Sequence, residues 1–305
     1  MPSLYLPIAE MPVDVVVVLL VSALVGFVSG LVGVGGGFIM TPTLIFIGVP
    51  APVAVATGAS QIAATSFSGI MSQSRRSSVD WRMGLLLSIG GVLGSVFGVS
   101  LFHRLLAIGQ LDLIIQLLYV VLLAVIGALM LMESVAVLRG RSAPASNLLQ
   151  RPARTIAHRL PLRLRFPRSG LYISVIPPIL LGFGVGALAA LMGVGGAFVL
   201  VPAMIYLLRM PTNVVVGTSL FQILIVTALI VVLQSAATHT VDLVLSILLM
   251  LGGVVGAQFG ARVGARMRSE QIRAILGIIL VGSSATFLIG LIWEPRELFT
   301  LVGGP

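Results

Sequence analysis

Apolar residues occur along this chain in runs of about 20, and short polar or basic stretches separate the runs. A helix of about 20 apolar residues is long enough to cross the hydrocarbon core of a membrane. The first half carries such runs at 13–32, 53–73, a run that ends near residue 102, and 111–138. The pattern predicts an all-α polytopic membrane protein that forms one integral membrane domain.

One apolar segment in each half is too short to cross a membrane. In the first half it covers 38–48, about 16 Å of helix against a hydrocarbon core of about 30 Å. It follows Gly33-Val-Gly-Gly-Gly37, and the second half carries the similar Gly193-Val-Gly-Gly-Ala197. Each glycine costs roughly 1 kcal/mol inside a helix relative to alanine. Each glycine run therefore predicts a break in a helix, after which a new helix begins with unpaired N–H groups.

The second half repeats the first with a nearly constant offset. Gly33 and Pro42 match Gly193 and Pro202 at an offset of 160, Thr57 and Gln61 match Thr218 and Gln222 at 161, and Asp80 matches Asp242 at 162. Such agreement predicts a tandem duplication. The expected organisation is a first membrane repeat at 1–138, an arginine-rich cytoplasmic linker at 139–169 and a second membrane repeat at 170–305. Each repeat is predicted to contain four long spans and one short broken helix.

The arginines indicate how the repeats are oriented. All 18 basic residues are arginine, and basic residues concentrate in cytoplasmic loops. If the short helix counts as a crossing and the N-terminus is outside, only Arg104 and Arg296 lie outside. If the short helix returns to the side from which it came, the better orientation places 12 arginines on the cytoplasmic side and 6 outside. The first arrangement is favoured, and it predicts inverted repeats.

The charge balance excludes several classes of protein. The net charge is +9, but only 9% of the residues are charged and 58% are hydrophobic, so nucleic-acid binding is not expected. The linker at 139–169 has eight arginines and no acid. Two interpretations are open for this linker: it binds anionic lipid head groups, or it determines the topology and has no partner. The chain has no cysteine and its histidines are predicted in loops, so no metal and no other cofactor is expected.

Two polar clusters follow the glycine breaks, Thr57-Gly-Ala-Ser60-Gln61 and Thr218-Ser219-Leu-Phe-Gln222. Buried hydroxyl and carboxamide groups are costly unless paired, so they are expected to bond a neighbouring helix or to line a shared polar path. Gln73 and Gln234, at the far ends of the same spans, are predicted to be interfacial.

Together with the N–H groups at the breaks, the two clusters predict a site for a small anion. Close packing of helices through small residues is the alternative for the glycines. The predicted substrate-binding residues are Gly35, Gly36, Gly37, Phe38, Thr57, Ser60, Gln61, Gly195, Gly196, Phe198, Thr218, Ser219 and Gln222.

The paired GVGGGF-type breaks, the proline that follows each and the ATGAS and GTSLF segments after the next turn resemble the sulfite exporter TauE/SafE family. This family is also called the toluene sulfonate uptake permease family. The resemblance covers residues 13–292 and implies a transporter of the bacterial or archaeal cytoplasmic membrane that carries small sulfur-containing or organic anions, such as sulfite or sulfoacetate. A related group that moves thiosulfate uses intramembrane cysteines, which this chain lacks. The second motif departs from the first at Ala197, which replaces Gly37, and at Asn213, which replaces Pro52.

The sequence therefore predicts a secondary transporter. A passive anion channel and a non-transporting accessory membrane subunit are the alternatives. An intramembrane enzyme is not expected, because the spans contain no nucleophile–base pair and no metal ligands. The oligomeric state is not predicted.

Overall fold

A computed structural model of the chain describes residues 3–32, 37–74, 79–138, 163–264, 266–267 and 269–293. The first half contains β1 (Ser3–Leu6), β2 (Met11–Asp14), α1 (Val15–Val32), α2 (Gly37–Ile47), α3 (Ala51–Ser74), α4 (Trp81–Ile108) and α5 (Leu111–Leu138). The second half contains β3 (Arg163–Phe166), β4 (Leu171–Ser174), α6 (Ile176–Met192), α7 (Ala197–Tyr206), α8 (Thr212–Ala237), α9 (Leu243–Gly264) and α10 (Ser269–Trp293). The described elements follow the same order in both halves.

Each half begins with an antiparallel β-hairpin that the apolar pattern did not predict. In the first, β1 pairs with β2, and in the second, β3 pairs with β4. The two turns end on residues with positive φ, Glu10 at 53° and Gly170 at 64°. The first helix thus begins two residues later than the predicted span, because residues 13 and 14 belong to β2. The second hairpin starts inside the range predicted as linker, whose residues 139–162 lie outside the described part of the chain.

The protein is mostly helical, as a polytopic membrane protein requires. Four segments are long and apolar enough to cross a membrane: Trp81–Ile108, Leu113–Met132, Val214–Ala237 and Leu243–Gly264. Large apolar side chains such as Leu24 and Leu93 are more than half exposed, as expected for surfaces that face lipid. The less apolar α3 packs against α2, α8 and α9, and this central position accommodates its serine, threonine and glutamine residues.

The halves are joined by helix pairs that run parallel and very close together. Along α1 and α9, Gly26 lies against Gly253, and one turn later Gly30 lies against Ala257. A Cβ atom at either glycine of α1 would collide with the backbone of α9. The pair α4 and α6 packs in the same parallel manner. Small residues permit this approach, as is common in membranes, so many glycines outside the breaks serve packing.

Two other pairs of helices run antiparallel. Near the start of α3, the Thr57 hydroxyl accepts a hydrogen bond of 3.1 Å from the backbone N–H of Asp242, which follows α8. Beyond the end of α3, the N–H of Asp80 donates to the hydroxyl of Thr218 near the start of α8 at 3.0 Å. About 17 residues of helix separate these contacts, or roughly 26 Å. The pair α5 and α10 is also antiparallel, since contacts advance along one helix as they recede along the other.

Candidate functional site

The two predicted breaks meet in the interior of the protein. Phe38 at the start of α2 and Phe198 at the start of α7 are both buried, and their ring centroids lie 6.4 Å apart. Gly37 lies against the backbone of Val194 and the side chain of Ile62. The structure thus brings Gly37, Phe38 and Phe198 together, whereas Gly35 and Gly36 lie outside the described residues.

The second break needs its glycines for conformational and steric reasons. Gly193, Gly195 and Gly196 have φ values of 67°, 69° and 70°, in the left-handed region that favours glycine. A Cβ atom on Gly193 would meet the backbone of Val55, and one on Gly196 would meet Val185. An alanine at Gly196 would therefore strain the backbone and crowd the core, whatever the residue contributes to binding.

A new helix begins directly after this break. The N–H groups of Val199 and Leu200 both donate to Gly196 O, at 3.1 and 2.8 Å, so intrahelical bonding starts at Val199. The N–H groups of residues 197 and 198 precede that point, in the first turn of α7, where N–H groups have no acceptor within the helix. Such N–H groups, at the positive end of a helix dipole, suit an anion.

The carbonyl groups at the end of α6 are occupied by side chains that the sequence analysis did not select. Gln234 Nε2 donates to Ala190 O at 3.1 Å, the Tyr119 hydroxyl to Met192 O at 2.7 Å, and the Thr41 hydroxyl to Gly193 O at 3.3 Å. The prediction that Gln234 is interfacial is wrong, because its side chain is fully buried. Its carboxamide completes the last turn of α6.

The predicted hydroxyl groups of α3 and α8 already have protein partners. Thr57 and Thr218 accept the bonds between the halves described above. Ser60 donates to Thr57 O at 2.6 Å, and Ser219 donates to Val216 O at 3.0 Å. In this conformation Thr57 and Thr218 join the two halves, whereas Ser60 and Ser219 bond within their own helices.

The two predicted glutamines have different surroundings. Gln61 Nε2 donates to Ser22 O at 3.3 Å and to Ser22 Oγ at 3.2 Å, while its Oε1 has no partner among the described residues. Gln222 is fully buried against Gly91, and neither atom of its carboxamide has a partner in the described part of the chain. The residue that matches Ser22 at the offset of 160 is Gly182, which has no hydroxyl. The second half thus holds a carboxamide whose hydrogen bonds are unmet.

Asp80, noted in the sequence only as a marker of the repeat, joins the two halves. Its Oδ1 accepts a bond of 3.2 Å from Met83 N and caps α4. Its Oδ2 accepts bonds from the N–H and the hydroxyl of Ser169 in the second hairpin, at 3.1 and 2.6 Å. Arg168 of the same hairpin donates to Val79 O at 3.1 Å. We call this arrangement the Asp80 clamp.

Asp242 forms a corresponding arrangement, the Asp242 clamp, at the other end of α3 and α8. Its Oδ1 accepts a bond of 3.0 Å from Leu245 N and caps α9, and its Oδ2 accepts one of 3.1 Å from Ile8 N in the first hairpin. Both aspartates are at most 2% exposed. Each clamp therefore fixes the start of a helix in one half to the hairpin of the other half.

Across the part of the chain that the structure describes, no group of three His, Cys, Asp or Glu residues is placed to hold a metal ion. His103, predicted in a loop, instead lies within α4. The new helices at the breaks begin with backbone N–H groups, which suit an anion.

Comparison with known proteins finds relatives that match most of this chain. A "Probable membrane transporter protein" of Xylella fastidiosa (strain 9a5c) is 30% identical over 88% of this chain and 93% of its own length. The "Probable membrane transporter protein YunE" of Bacillus subtilis (strain 168) is 26% identical over 87% of this chain and 94% of its own length. No solved structure matches the chain.

The family model for the sulfite exporter TauE/SafE proteins matches residues 18–287. This range includes both glycine breaks, both polar clusters and both clamp aspartates. The resemblance predicted from the motifs is confirmed, and the chain belongs to the sulfite exporter TauE/SafE family.

Proposed function

We propose that the protein is a secondary transporter that moves a small sulfur-containing or organic anion, of the sulfite or sulfonate type, across the bacterial or archaeal cytoplasmic membrane. The observation that carries this proposal is the meeting of the two helix starts at Phe38 and Phe198, where the intrahelical hydrogen bonds of α7 begin only at Val199. Membership of a transporter family and the names of the relatives support transport over catalysis.

The proposed binding site combines the backbone of both breaks with the two buried carboxamides. Residues 35–38 and 195–198 would supply N–H groups, Phe38 and Phe198 would wall the site, and Gln61 and Gln222 would supply side-chain donors. Thr57, Ser60, Thr218 and Ser219 were predicted as further donors. The bonds of Thr57 and Thr218 to the other half support a role in positioning α3 and α8, whereas Ser60 and Ser219 bond within their own helices.

We further propose that residues 1–138 and 170–305 form inverted repeats, joined by a cytoplasmic linker at 139–169 that binds anionic lipid head groups. Helices that correspond in two copies of the same orientation would run in the same direction. Here α3 is antiparallel to its counterpart α8, and α5 to its counterpart α10. These directions support five crossings per repeat and agree with the distribution of arginines.

The burial of the candidate residues supports a transporter over a passive channel. Thr57, Gln61, Thr218 and Gln222 are at most 2% exposed, whereas an open channel would expose its polar lining to water. In the proposed topology the Asp80 clamp lies at the cytoplasmic end of α3 and α8, and the Asp242 clamp at the outer end. A transporter would open these ends in turn.

Flux through purified protein in proteoliposomes tests this function. Labelled sulfite, sulfate, sulfoacetate, taurine and small carboxylates would be offered to liposomes preloaded with the same unlabelled anion. We expect saturable uptake of at least one anion, accelerated by the unlabelled anion inside. Flux that rises linearly with concentration would support a channel, and flux no greater than in empty liposomes would support an accessory subunit.

The inverted topology predicts that cysteines introduced at Ser146 and Ser235 will react with a membrane-impermeant reagent from opposite faces. The chain has no natural cysteine, so the label reports the introduced site alone. Ser235 is exposed in the structure, and Ser146 lies in the predicted linker, which we expect on the cytoplasmic side. Intact cells and inverted vesicles give the two measurements. Labelling of both positions from the same face would contradict inverted repeats.

A further inference from the structure

The break between α6 and α7 has two ends of opposite polarity. The last carbonyl groups of α6 carry the negative end of its dipole, and the first N–H groups of α7 carry the positive end of the other. In transporters with discontinuous helices, such N–H groups attract anionic groups, whereas free carbonyl groups coordinate sodium ions or protons. The sign of the ion that such a break favours therefore depends on which backbone groups remain free.

In this break, the carbonyl groups at the end of α6 accept hydrogen bonds from side chains of other helices. The donors to Ala190 O, Met192 O and Gly193 O come from three different helices, namely Gln234 of α8, Tyr119 of α5 and Thr41 of α2. A fourth carbonyl, Ala189 O, accepts the N–H of Gly193 at 2.9 Å. The side chains of Tyr119, Thr41 and Gln234 are all fully buried, so water does not compete for these bonds.

We propose that Tyr119, Thr41 and Gln234 are positioning residues that set the charge selectivity of this break by occupying the carbonyl groups at the end of α6. The inference rests on the proposed function, because it assumes that an anion binds at the break. Each donor offsets part of the negative potential of a carbonyl group in a medium of low dielectric constant. The N–H groups of α7 then dominate the potential at the site.

The electrostatic account predicts a dependence on the charge of the ligand that a purely structural role does not. Loss of one donor frees a carbonyl dipole, whose repulsion of the ligand is proportional to the charge of that ligand. If a monoanion loses affinity by a given factor, a dianion of similar size loses it by about the square of that factor. A general loosening of the fold would weaken both anions equally.

The chain offers conservative variants and a matched control. Tyr119→Phe removes only the hydroxyl and keeps the ring that stacks on Phe287, with centroids 5.1 Å apart. Thr41→Val removes the donor to Gly193 O. Thr43→Val removes a hydroxyl of the same helix that donates within α2, to Ile39 O at 2.7 Å, and not to a carbonyl group at the end of α6.

The experiment measures uptake of labelled sulfite into proteoliposomes, with sulfate as a dianionic inhibitor and methanesulfonate as a monoanionic one. For Tyr119→Phe and Thr41→Val, we expect the inhibition constant to rise about 5-fold for methanesulfonate and about 25-fold for sulfate, because the repulsion scales with charge. The maximal rate should stay within about 2-fold of the wild-type rate if the donors act on ground-state binding. Thr43→Val should match the wild type in all three quantities.

Equal increases for the two inhibitors in both variants would overturn the inference, as would a fall in maximal rate with unchanged inhibition constants. If Tyr119→Phe does not fold, Thr41→Val decides on the same criteria. A wild-type protein that takes up none of the anions offered to the proteoliposomes would contradict the proposed anion site itself, which is a separate result from a failure of the variants.

Discussion

Replacing Gln222 by methionine is expected to raise the melting temperature of the protein and to abolish anion transport. The Gln222 carboxamide is fully buried and has no partner among the described residues. An unmet buried polar group costs about 1–3 kcal/mol, and methionine has a similar shape without that group. We expect this carboxamide to be retained in the core because it donates a hydrogen bond to the transported anion.

The corresponding change at Gln61 is the matched control for stability. Gln61→Met removes the bonds to Ser22, so we expect a lower melting temperature in this variant. Thermal unfolding in detergent and uptake in proteoliposomes, measured on both variants, provide the comparison. Wild-type transport by Gln222→Met would show that Gln222 does not bind the anion. A lower melting temperature of this variant would show that the carboxamide already has hydrogen-bond partners.

Loss of the Asp80 clamp should destabilise the protein more than loss of the Asp242 clamp. Among the described residues, the carboxylate of Asp80 accepts three hydrogen bonds, whereas that of Asp242 accepts two. Each buried donor left unpaired costs about 1–3 kcal/mol, so Asp80→Ala is expected to cost at least about 3 kcal/mol. Asp242→Ala should cost less, and both variants should transport poorly, because the starts of α4 and α9 would no longer be tied to the hairpin of the other half.

Asp14 provides the control for the clamp variants. Its Oδ1 accepts a bond of 2.9 Å from Val16 N at an exposed helix start. Asp14→Ala should therefore cost only about 1 kcal/mol, as for an ordinary N-cap. Melting temperatures of the three variants test the predicted order. Equal melting of Asp80→Ala and Asp14→Ala would mean that the bonds to the second hairpin do not contribute to stability.

The sequence predicted the elements whose signal is local. Runs of apolar residues give the helices, and the glycines at 193, 195 and 196 mark positions that adopt positive φ. The alignment of the two halves also indicates why the two glutamines differ. It pairs Ser22, the partner of Gln61, with Gly182, which offers Gln222 no hydroxyl. The hairpins escaped prediction because strands of four residues carry little periodicity.

The residues that complete the site were missed because their partners are distant in sequence. Tyr119 lies in an apolar run like any core residue, and its bond to Met192 spans 73 positions. The bond between Thr57 and Asp242 spans 185 positions. An isolated hydroxyl in a span has several candidate partners, and only the packing of helices from both halves selects one. The role of Thr57 therefore became visible only with the fold.

Each hairpin bonds an aspartate of the other half, and this affects the order in which the protein can assemble during synthesis. When the first five helices have left the ribosome, Oδ2 of Asp80 still lacks Ser169, its partner 89 positions further along the chain. Gly26 and Gly30 of α1 likewise lack their packing partner until α9 is made, more than 200 residues later. Contacts over such separations are slow to form. The nascent first half is thus an incomplete structure in the membrane, and assembly finishes only when nearly the whole chain has been inserted.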